Sequence, residues 1–214
     1  MGTKDAQFWD KAAPKYAATP IDDAAGFERT LARTRALITP GARVLELGCG
    51  TGTTALRLAN ATEHYLGTDI SARMIAIAQE KLATARPAEL NGQLSFRQGT
   101  ASTLAREGAE YDVVICFNCL HLAGNLSAVL GHIRRLLAPG GLFISKTPCV
   151  GDMNPLIRLA IPLMRLVGKA PRVTSFSAVE LEEAIRAAGF DMLANERHGS
   201  KDSDLRPFIA ARAP

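Results

Sequence analysis

The sequence predicts a single α/β domain built on a mostly parallel sheet that ends in an antiparallel hairpin. Downstream of Pro40-Gly41, five short apolar runs alternate with segments of helical periodicity, which is typical of a parallel sheet flanked by helices. Two further strand candidates follow with only a polar loop between them, so they have to pair antiparallel. A chain of 214 residues can bury a full core as one domain. We therefore expect a doubly wound seven-stranded sheet with helices on both faces.

The strand candidates are short apolar runs bounded by polar or turn-forming residues. They are Val44–Leu47, Tyr65–Thr68, Leu94–Gln98, Asp112–Phe117, Leu142–Lys146, Phe190–Arg197 and Arg206–Ala213. The segment Ala138-Pro139-Gly140-Gly141 predicts a turn that leads into the fifth strand, because proline and glycine favour turn conformations.

Helix starts are predicted from polar side chains that can accept hydrogen bonds from the first free backbone N–H groups of a helix. Ser71 and Asn125 are placed to cap the helices that precede the third and fifth strands. Ser177 and Glu180 have the spacing of a capping box, and Gly189 is placed to end the same helix. Each gap between the first five strands is expected to contain a helix.

Two segments lie outside the alternating pattern. Residues 1–38 are expected to be helical with breaks near Pro14 and Pro20, since proline lacks the N–H that a helix interior uses. Residues 155–169 are strongly apolar, with Pro162 inside and basic residues spaced along them, and are shorter than the roughly 18 residues of a membrane span. The alternatives for this second segment are a cap over a substrate pocket, a helix packed in the core or on the sheet edge, and a helix lying in a membrane interface.

Charge and hydropathy exclude several classes of protein. The chain has 25 lysines and arginines against 21 aspartates and glutamates, so it is only mildly basic. It contains no block of like charges of the kind that binds nucleic acid, so no nucleic-acid partner is predicted. No apolar run is long enough to span a membrane, and the first residues lack the pattern of a signal peptide, so we expect a cytoplasmic protein. The oligomeric state is left open between a monomer and a homodimer.

The four cysteines lie in or beside apolar runs, at Cys49, Cys116, Cys119 and Cys149. In a cytoplasmic protein they are expected to be reduced thiols. Cys116 and Cys119 form a CxxC pair with His121 nearby. Zinc binding is disfavoured because Cys116 falls within a strand and no second pair of ligands follows, so no metal is predicted.

The first strand runs into a glycine-rich turn, Gly48-Cys49-Gly50-Thr51-Gly52, that opens a helix. Glycine permits a tight turn and lets a ligand approach the backbone where a Cβ would block it. A dinucleotide fingerprint would need its third glycine at position 53, which is Thr53. A turn at the end of the first strand of an open α/β sheet lies where such sheets bind ligands.

Two carboxylates narrow the choice of ligand. Glu46 interrupts the first strand just before the turn, where it would repel a pyrophosphate but suits a cation or an amine. A purely structural role for Glu46 is hard to assign, because an unpaired buried carboxylate is costly. Asp69 ends the second strand, where an acid can bind both hydroxyls of a ribose; the alternative is that it caps the helix starting near Ser71. The predicted ligand has a ribose, a positive group and no phosphate.

Five segments of the chain together resemble the class I S-adenosylmethionine-dependent methyltransferases. They are FWDKAAPKYAATPI (8–21), ELGCGTGTTALRLA (46–59), GTDIS (67–71), YDVVICFNCLHL (111–122) and LLAPGGLFISKTP (136–148). The resemblance covers nearly the whole chain and implies a Rossmann-like fold, with S-adenosyl-L-methionine as cofactor and S-adenosyl-L-homocysteine as product. The implied parts are an N-terminal helical lid (1–38), a cofactor-binding core (41–148), an apolar cap insertion (149–176) and a C-terminal helix and hairpin (177–214).

The resemblance also implies which residues would hold the methionine end of the cofactor. Glu46 would lie near its ammonium group, and Asn118 would face the same end. Tyr16 would reach the carboxylate from the lead helix, although Tyr16 could instead only pack that helix. The methionine portion would lie along the backbone of the glycine-rich turn. That turn comprises Gly48, Cys49, Gly50, Thr51 and Gly52.

The adenosine end of the cofactor is assigned in the same way. Asp69 would bind the ribose hydroxyls, and Ile70 and Met74 would flank the adenine. Thr100 and Ala101 would lie at the adenine edge. Many family members have an acidic residue where this chain has Thr100, so the adenine amino group would need the threonine hydroxyl or a backbone carbonyl instead.

The activity that the resemblance implies is transfer of the cofactor's methyl group, in line with the leaving sulfur, to a small-molecule acceptor. The apolar segment 155–169 favours a lipophilic acceptor or a peripheral membrane contact. His121 is a candidate base for the nucleophile, and the alternative is a histidine hydrogen-bonded within its loop. His198 is expected at the surface. Other interpretations are a protein, nucleic-acid or arsenic methyltransferase, and a cofactor-binding protein without turnover.

Overall fold

The computed structural model describes residues 2–85, 93–166, 168, 170–201 and 204–214, and its centre is a seven-stranded sheet. The strands are β1 (Arg43–Leu47), β2 (His64–Asp69), β3 (Leu94–Gln98), β4 (Tyr111–Phe117), β5 (Leu137–Lys146), β6 (Asp191–Glu196) and β7 (Phe208–Arg212). Their order is β3-β2-β1-β4-β5-β7-β6. The pairs among β1 to β5 are parallel, and β7 runs antiparallel to both β5 and β6. The predicted fold is confirmed.

Helices cover both faces of this sheet. They are α1 (Thr3–Ala18), α2 (Ala24–Leu37), α3 (Thr53–Leu58), α4 (Ala72–Thr84), α5 (Ala101–Leu104), α6 (Leu126–Leu136), α7 (Pro155–Leu166) and α8 (Ala178–Ala187). Leu31 of α2 belongs to one apolar cluster and Leu130 of α6 to another. Phe143 and Ile144 are consecutive on β5 and enter different clusters, because successive side chains of a strand point to opposite faces. Among the helices that the structure describes, none is long and apolar enough to cross a membrane.

The helix caps predicted from the sequence are present. Ser71, Asn125 and Ser177 accept hydrogen bonds from the backbone N–H three residues later, at 3.0, 3.0 and 3.1 Å. Glu180 completes the capping box by accepting a hydrogen bond from the Ser177 backbone N–H at 2.7 Å. Gly189 follows α8 with a φ of +87°, a conformation that favours glycine.

The predicted helix break at Pro14 is wrong, because α1 continues through it. Ala13 is fully buried in a cluster with Met74 and Ile77 of α4. This packing keeps α1 a continuous helix on both sides of Pro14, although a proline inside a helix lowers the stability of the helix by roughly 3 kcal/mol. The chain leaves the helical conformation between α1 and α2, near Pro20, as predicted. The lead helix is therefore a single rod packed on α4.

The predicted turn at residues 138–141 lies inside β5 rather than before it. Leu137 already pairs with Tyr111 of β4, and the pairing then shifts register before Leu142 meets Val113. A β-bulge takes up the extra residues and keeps them in the strand. The fifth strand therefore begins earlier than the sequence predicts.

The apolar segment predicted over residues 155–169 forms α7, and this helix is exposed. Leu156 and Leu159 are 76% and 69% exposed, and Ile161 is the one described side chain of α7 with intermediate exposure. The core and sheet-edge alternatives are wrong, because the described large apolar side chains of α7, apart from Ile161, remain open to solvent. Residues 167 and 169 of the predicted segment lie outside the described residues.

Candidate functional site

Two adjoining cavities open at the carboxyl ends of β1, β2 and β4. The large cavity has a volume of about 650 Å³ and the small cavity about 330 Å³. The two cavities are adjacent, because five residues line both of them. These are Tyr16, Gly48, Phe117, Asn118 and Arg206. Ligands of open α/β sheets bind at this edge, so both cavities are candidate binding space.

The site residues predicted from the sequence are brought together around these cavities. The large cavity is lined by Tyr16, Gly48, Gly50, Asp69, Ile70, Met74, Thr100, Ala101, Asn118 and His121. The small cavity is lined by Tyr16, Glu46, Gly48, Cys49 and Asn118. Each of these residues lines at least one of the two spaces, whereas Gly52 at the end of the turn lines neither, and the individual roles stay predictions.

The glycine-rich turn depends on backbone conformations and close approaches that other residues would not allow. Gly48 has a φ of +70°, and a Cβ there would lie 2.7 Å from the Cβ of Cys119. Gly52 has a φ of +78°, and a Cβ there would lie 2.7 Å from the Phe96 ring. A Cβ on Gly50 would meet only Tyr16 at 3.5 Å, so this side of the turn is open to a ligand.

Asp69 holds the turn in position from the end of β2. One carboxylate oxygen accepts a hydrogen bond from the Gly50 N–H at 3.0 Å, and the other accepts one from the Ser71 N–H at 2.8 Å. Because Ser71 caps α4 itself, the alternative of Asp69 as the cap is wrong. Burial raises the pKa of the Asp69 carboxyl. Each oxygen still has a lone pair for a hydroxyl donor from the large cavity.

Glu46 is a buried carboxylate, and among the described residues its side chain has one hydrogen-bond partner. It is 2% exposed, and its Oε2 accepts a hydrogen bond from the Tyr65 hydroxyl at 2.9 Å. Burial raises the pKa of the Glu46 carboxyl to about 7; the Tyr65 hydrogen bond opposes this shift, and the charge of Asp69 adds to it. A cationic ligand in the small cavity would favour the ionised form. The sequence analysis did not identify Tyr65 as a partner of Glu46. A tyrosine in the neighbouring strand of a buried glutamate could have predicted this hydrogen bond.

Thr100 uses its side chain to cap a helix. Its hydroxyl accepts a hydrogen bond from the Thr103 backbone N–H at 3.2 Å, at the start of α5. The Thr103 hydroxyl in turn lies 2.9 Å from the Thr100 backbone N–H. Both residues of this capping box are therefore already engaged, while the neighbouring Ser102 also lines the large cavity.

His121 is hydrogen-bonded, although not within its own loop, and it also faces the large cavity. Its Nδ1 lies 3.1 Å from the hydroxyl of Thr147, which directly follows β5, and its side chain lines the large cavity. Burial lowers the pKa of His121 to about 4, so the imidazole is neutral at physiological pH. A neutral imidazole can accept a proton from a bound nucleophile.

Cys116 and Cys119 form a disulfide, so the expectation of reduced thiols is wrong for this pair. Their Cα atoms lie 5.9 Å apart, because Asn118 between them adopts a φ of +52° and turns the chain at the end of β4. Cys49 and Cys149 are free and buried. Within the described ranges, no group of three or more His, Cys, Asp or Glu side chains could hold a metal ion.

Three cations that the sequence analysis missed line the cavities. Lys81 of α4 lines the small cavity and donates a hydrogen bond to the Thr51 hydroxyl at 2.8 Å. Lys146 ends β5, and its Nζ donates a hydrogen bond to the Thr30 hydroxyl at 3.1 Å. Arg206 lies just before β7, and its Nε donates to Asp204 Oδ1 at 2.6 Å. A lysine at the carboxyl end of a buried strand could have been flagged from the sequence, because that edge carries the ligand. Arg206 gives no such signal, because a tertiary fold is needed to bring it there.

The prediction of His198 at the surface is wrong. The residue is 6% exposed and stacks on Phe208 with ring centroids 4.5 Å apart. Its Nδ1 lies 3.2 Å from the Thr30 hydroxyl and its Nε2 lies 3.0 Å from Glu196 Oε2. A polar loop between two strands suggests exposure, but here α2 packs over the loop and buries the imidazole.

Comparison with known proteins identifies relatives of this chain. A family model described as a methyltransferase domain matches residues 45–143. A ubiquinone biosynthesis O-methyltransferase from Azorhizobium caulinodans is 30% identical over 97% of this chain and 88% of that protein. A demethylmenaquinone methyltransferase from Leptospira interrogans is 37% identical over 54% of this chain. The match spans about half of the length of this demethylmenaquinone methyltransferase, 46%.

A similar fold occurs among solved structures. The magnesium protoporphyrin IX methyltransferase of Synechocystis PCC 6803, solved with bound S-adenosylhomocysteine, superposes with a TM-score of 0.71. The superposition covers 98% of this chain and 96% of that one, at 21% sequence identity. At this identity the likeness supports the fold, in agreement with the strand order described above.

Proposed function

Because the chain belongs to the class I S-adenosylmethionine-dependent methyltransferases, we propose that it transfers the cofactor's methyl group to a small lipophilic molecule in the large cavity. The observation that carries this proposal is the pair of buried carboxylates, Glu46 and Asp69, that flank the glycine-rich turn. A ligand with a ribose and a positive charge suits both groups. A phosphate-bearing dinucleotide would be repelled by Glu46.

The residues around the turn fit S-adenosylmethionine. When bound, this cofactor supplies an electrophilic methyl group on a sulfonium. Asp69 would accept hydrogen bonds from the ribose hydroxyls while it holds Gly50, and Glu46 would balance positive charge at the methionine end. The open side of Gly50 lets the ligand reach the backbone. Tyr16, on α1, would help to exclude water from above.

The far end of the large cavity supports a lipophilic acceptor. Beyond Asn118 its wall is mainly apolar, with Leu120, Leu122, Ala123, Ala128, Val129 and Pro148. Both curated relatives named above carry quinone-related names, which also favours an apolar ring compound. A protein or nucleic-acid acceptor would call for a basic open groove, and Arg206 is the sole lysine or arginine among the described residues on this wall.

A direct assay tests this function. Purified protein is incubated with S-adenosylmethionine and a panel of lipophilic phenols, hydroquinones, amines and thiols, and S-adenosylhomocysteine is quantified. We expect product formation that depends on an acceptor and is lost in Asp69→Asn. Binding of S-adenosylhomocysteine without any acceptor-dependent turnover would support the alternative of a cofactor-binding protein. No binding at all would contradict both.

His121 would act on the nucleophile if the acceptor is an oxygen. We expect His121→Gln to lower kcat by about tenfold on a phenol while KM changes little, since a base with a low pKa contributes modestly. Orientation of the two reactants supplies most of the rate. An amine acceptor serves as the control, because a neutral amine needs no base. A kcat unchanged on the phenol would leave His121 with only its hydrogen bond to Thr147.

The exposed helix α7 supports a peripheral contact with an anionic membrane. Leu156, Leu159 and Leu163 are 76%, 69% and 63% exposed, and none of the α7 side chains that the structure describes lines the large cavity. The segment from residue 155 to residue 172 carries basic side chains, including Arg158 and Arg165, and no acidic one. Such a helix can place its leucines among lipid chains and its arginines at the headgroups. A lipophilic acceptor could then be taken up from the bilayer.

Replacing Leu156, Leu159 and Leu163 by glutamine should weaken binding to vesicles that contain phosphatidylglycerol by about a hundredfold. The estimate takes about 1 kcal/mol for each leucine side chain that no longer inserts. Co-sedimentation measures the change. The matched control is Val179→Gln with Leu193→Gln, which removes exposed apolar side chains elsewhere on the surface. Equal binding by both variants and the wild type would exclude α7 as the contact.

A further inference from the structure

Arg206 occupies the junction of the two cavities, in the segment just before β7. Its side chain lines both spaces and is 36% exposed. The Nε donates a hydrogen bond to Asp204 Oδ1 at 2.6 Å. Within the part of the chain that the structure describes, the guanidinium has no other hydrogen-bond partner. One edge of the group is therefore held, and its other N–H groups are available to a ligand.

Asp204 is shared between two cations. Its carboxylate lies 2.6 Å from Arg206 Nε through one oxygen and 3.7 Å from Lys146 Nζ through the other. Lys146 and Asp204 are both buried, with side-chain exposures of 9% and 8%. The other close partner of Lys146 is the neutral hydroxyl of Thr30. Asp204 thus bridges the two cations, and the negative charge of Asp23 also acts on Lys146.

Most of the carboxylates that line the two cavities accept hydrogen bonds from neutral groups rather than from Arg206. Asp23 accepts hydrogen bonds from the backbone N–H and the hydroxyl of Ser200 at 2.7 and 2.6 Å. Asp69 holds the glycine-rich turn, and Glu46 is bound by Tyr65. Asp22 lines the small cavity and not the large one. Asp204, the carboxylate that is paired with Arg206, lines neither of these two cavities.

We infer that the methyl acceptor carries a carboxylate that Arg206 binds, on an otherwise apolar body. The lining of the large cavity also includes apolar groups such as Pro148, and His121 on the same lining is neutral. Arginine binds carboxylates through paired N–H groups, and in an apolar cavity a single such contact fixes orientation. This inference rests on the proposed function and names its substrate class as a lipophilic carboxylic acid.

The cofactor's own carboxylate is the competing source of the same chemistry. Arg206 also lines the small cavity, as do Gly48 and Asn118, and the methionine end is predicted to lie there. The two sources differ in what a change at Arg206 would weaken. A contact with the cofactor would reduce affinity for S-adenosylhomocysteine, whereas a contact with the acceptor would leave that affinity nearly unchanged.

The experiment uses the full-length protein saturated with S-adenosylhomocysteine and two matched probes, 4-hexylbenzoate and its neutral amide 4-hexylbenzamide. Trp9 is the one tryptophan of the chain and lines the large cavity, so its fluorescence reports occupancy. The wild type should bind the benzoate at least about tenfold more tightly than the amide, as expected for a charge-assisted hydrogen bond. Arg206→Met should remove that preference, and Arg206→Lys should keep part of it.

The matched control is Arg212→Met, which removes an exposed arginine from the other end of β7 and should keep the full preference. Equal affinities of the wild type for both probes would overturn the inference even if Arg206→Met failed to fold. A preference that survives in Arg206→Met, or a tenfold loss of S-adenosylhomocysteine affinity in that variant, would overturn it too. Failure of the wild type to bind S-adenosylhomocysteine would instead refute the proposed function, and this inference with it.

Discussion

Asp69→Ala should weaken S-adenosylhomocysteine binding by about a hundredfold. The substitution removes the carboxylate that would accept hydrogen bonds from the ribose hydroxyls. A hydrogen bond between a charged group and a hydroxyl contributes about 1.5–3 kcal/mol. The variant also frees the Gly50 N–H, which Asp69 now binds at 3.0 Å, so the glycine-rich turn would become less ordered. Both effects act in the same direction on affinity.

Titration calorimetry on the wild type and the variant measures this loss. Asp112→Ala is the matched control, because Asp112 also accepts a backbone hydrogen bond, from the Arg43 N–H at 2.7 Å, at the opposite edge of the sheet. The control should bind S-adenosylhomocysteine as the wild type does. Equal affinities in all three proteins would remove Asp69 from the binding site.

Glu46→Gln should make the protein more stable than the wild type above neutral pH. In the folded protein, burial raises the pKa of Glu46 to about 7 from an ordinary value of 4.5. Between these values the folded state keeps a proton that the unfolded state has released, so wild-type stability falls as pH rises through this window. Above pH 7 the loss reaches about 3 kcal/mol, and a glutamine avoids it.

Urea unfolding at several pH values between 5 and 8 measures the effect. The wild type should lose stability across this range relative to Glu46→Gln, with little difference between them near pH 5. Tyr65→Phe is a useful companion, because it removes the hydrogen bond that opposes the raised pKa and should extend the loss to higher pH. Parallel pH profiles for the wild type and Glu46→Gln would contradict a raised pKa.

The same group should link cofactor binding to protonation if Glu46 faces the charged end of the cofactor, as proposed. A positively charged ligand near Glu46 lowers the pKa of its carboxyl, so binding near pH 7 should release a proton. Calorimetry in two buffers with different ionisation enthalpies would detect that proton in the wild type. Glu46→Gln should show no such difference between buffers.

Much of the fold could be predicted because its signals are local. Ser71, Asn125 and Ser177 lie where a helix has to begin, and each accepts the hydrogen bond that its position predicts. The glycine-rich turn requires positive φ values, which other residues rarely adopt, so its position at the end of β1 is clear from the chain. Glu46 and Asp69 were found in the same way, as carboxylates at the ends of apolar strands.

Other features depend on which segments meet in space. Proline at position 14 predicts a break, but packing of Ala13 on α4 keeps α1 continuous. The Cys116–Cys119 disulfide needs the turn at Asn118, whose positive φ no sequence pattern indicated. His198 is buried because α2 covers its loop, and α7 is exposed although its composition also suits a core helix.

The sequence by itself determined the sheet, the caps, the glycine-rich turn and the two carboxylates that predict the cofactor, because these depend on neighbours along the chain. Only the tertiary structure placed Tyr65 against Glu46 and set Lys146 and Arg206 on either side of Asp204. These contacts join strands and loops that are far apart in sequence. Their energies depend on distance and burial in the folded protein, which residue spacing does not contain.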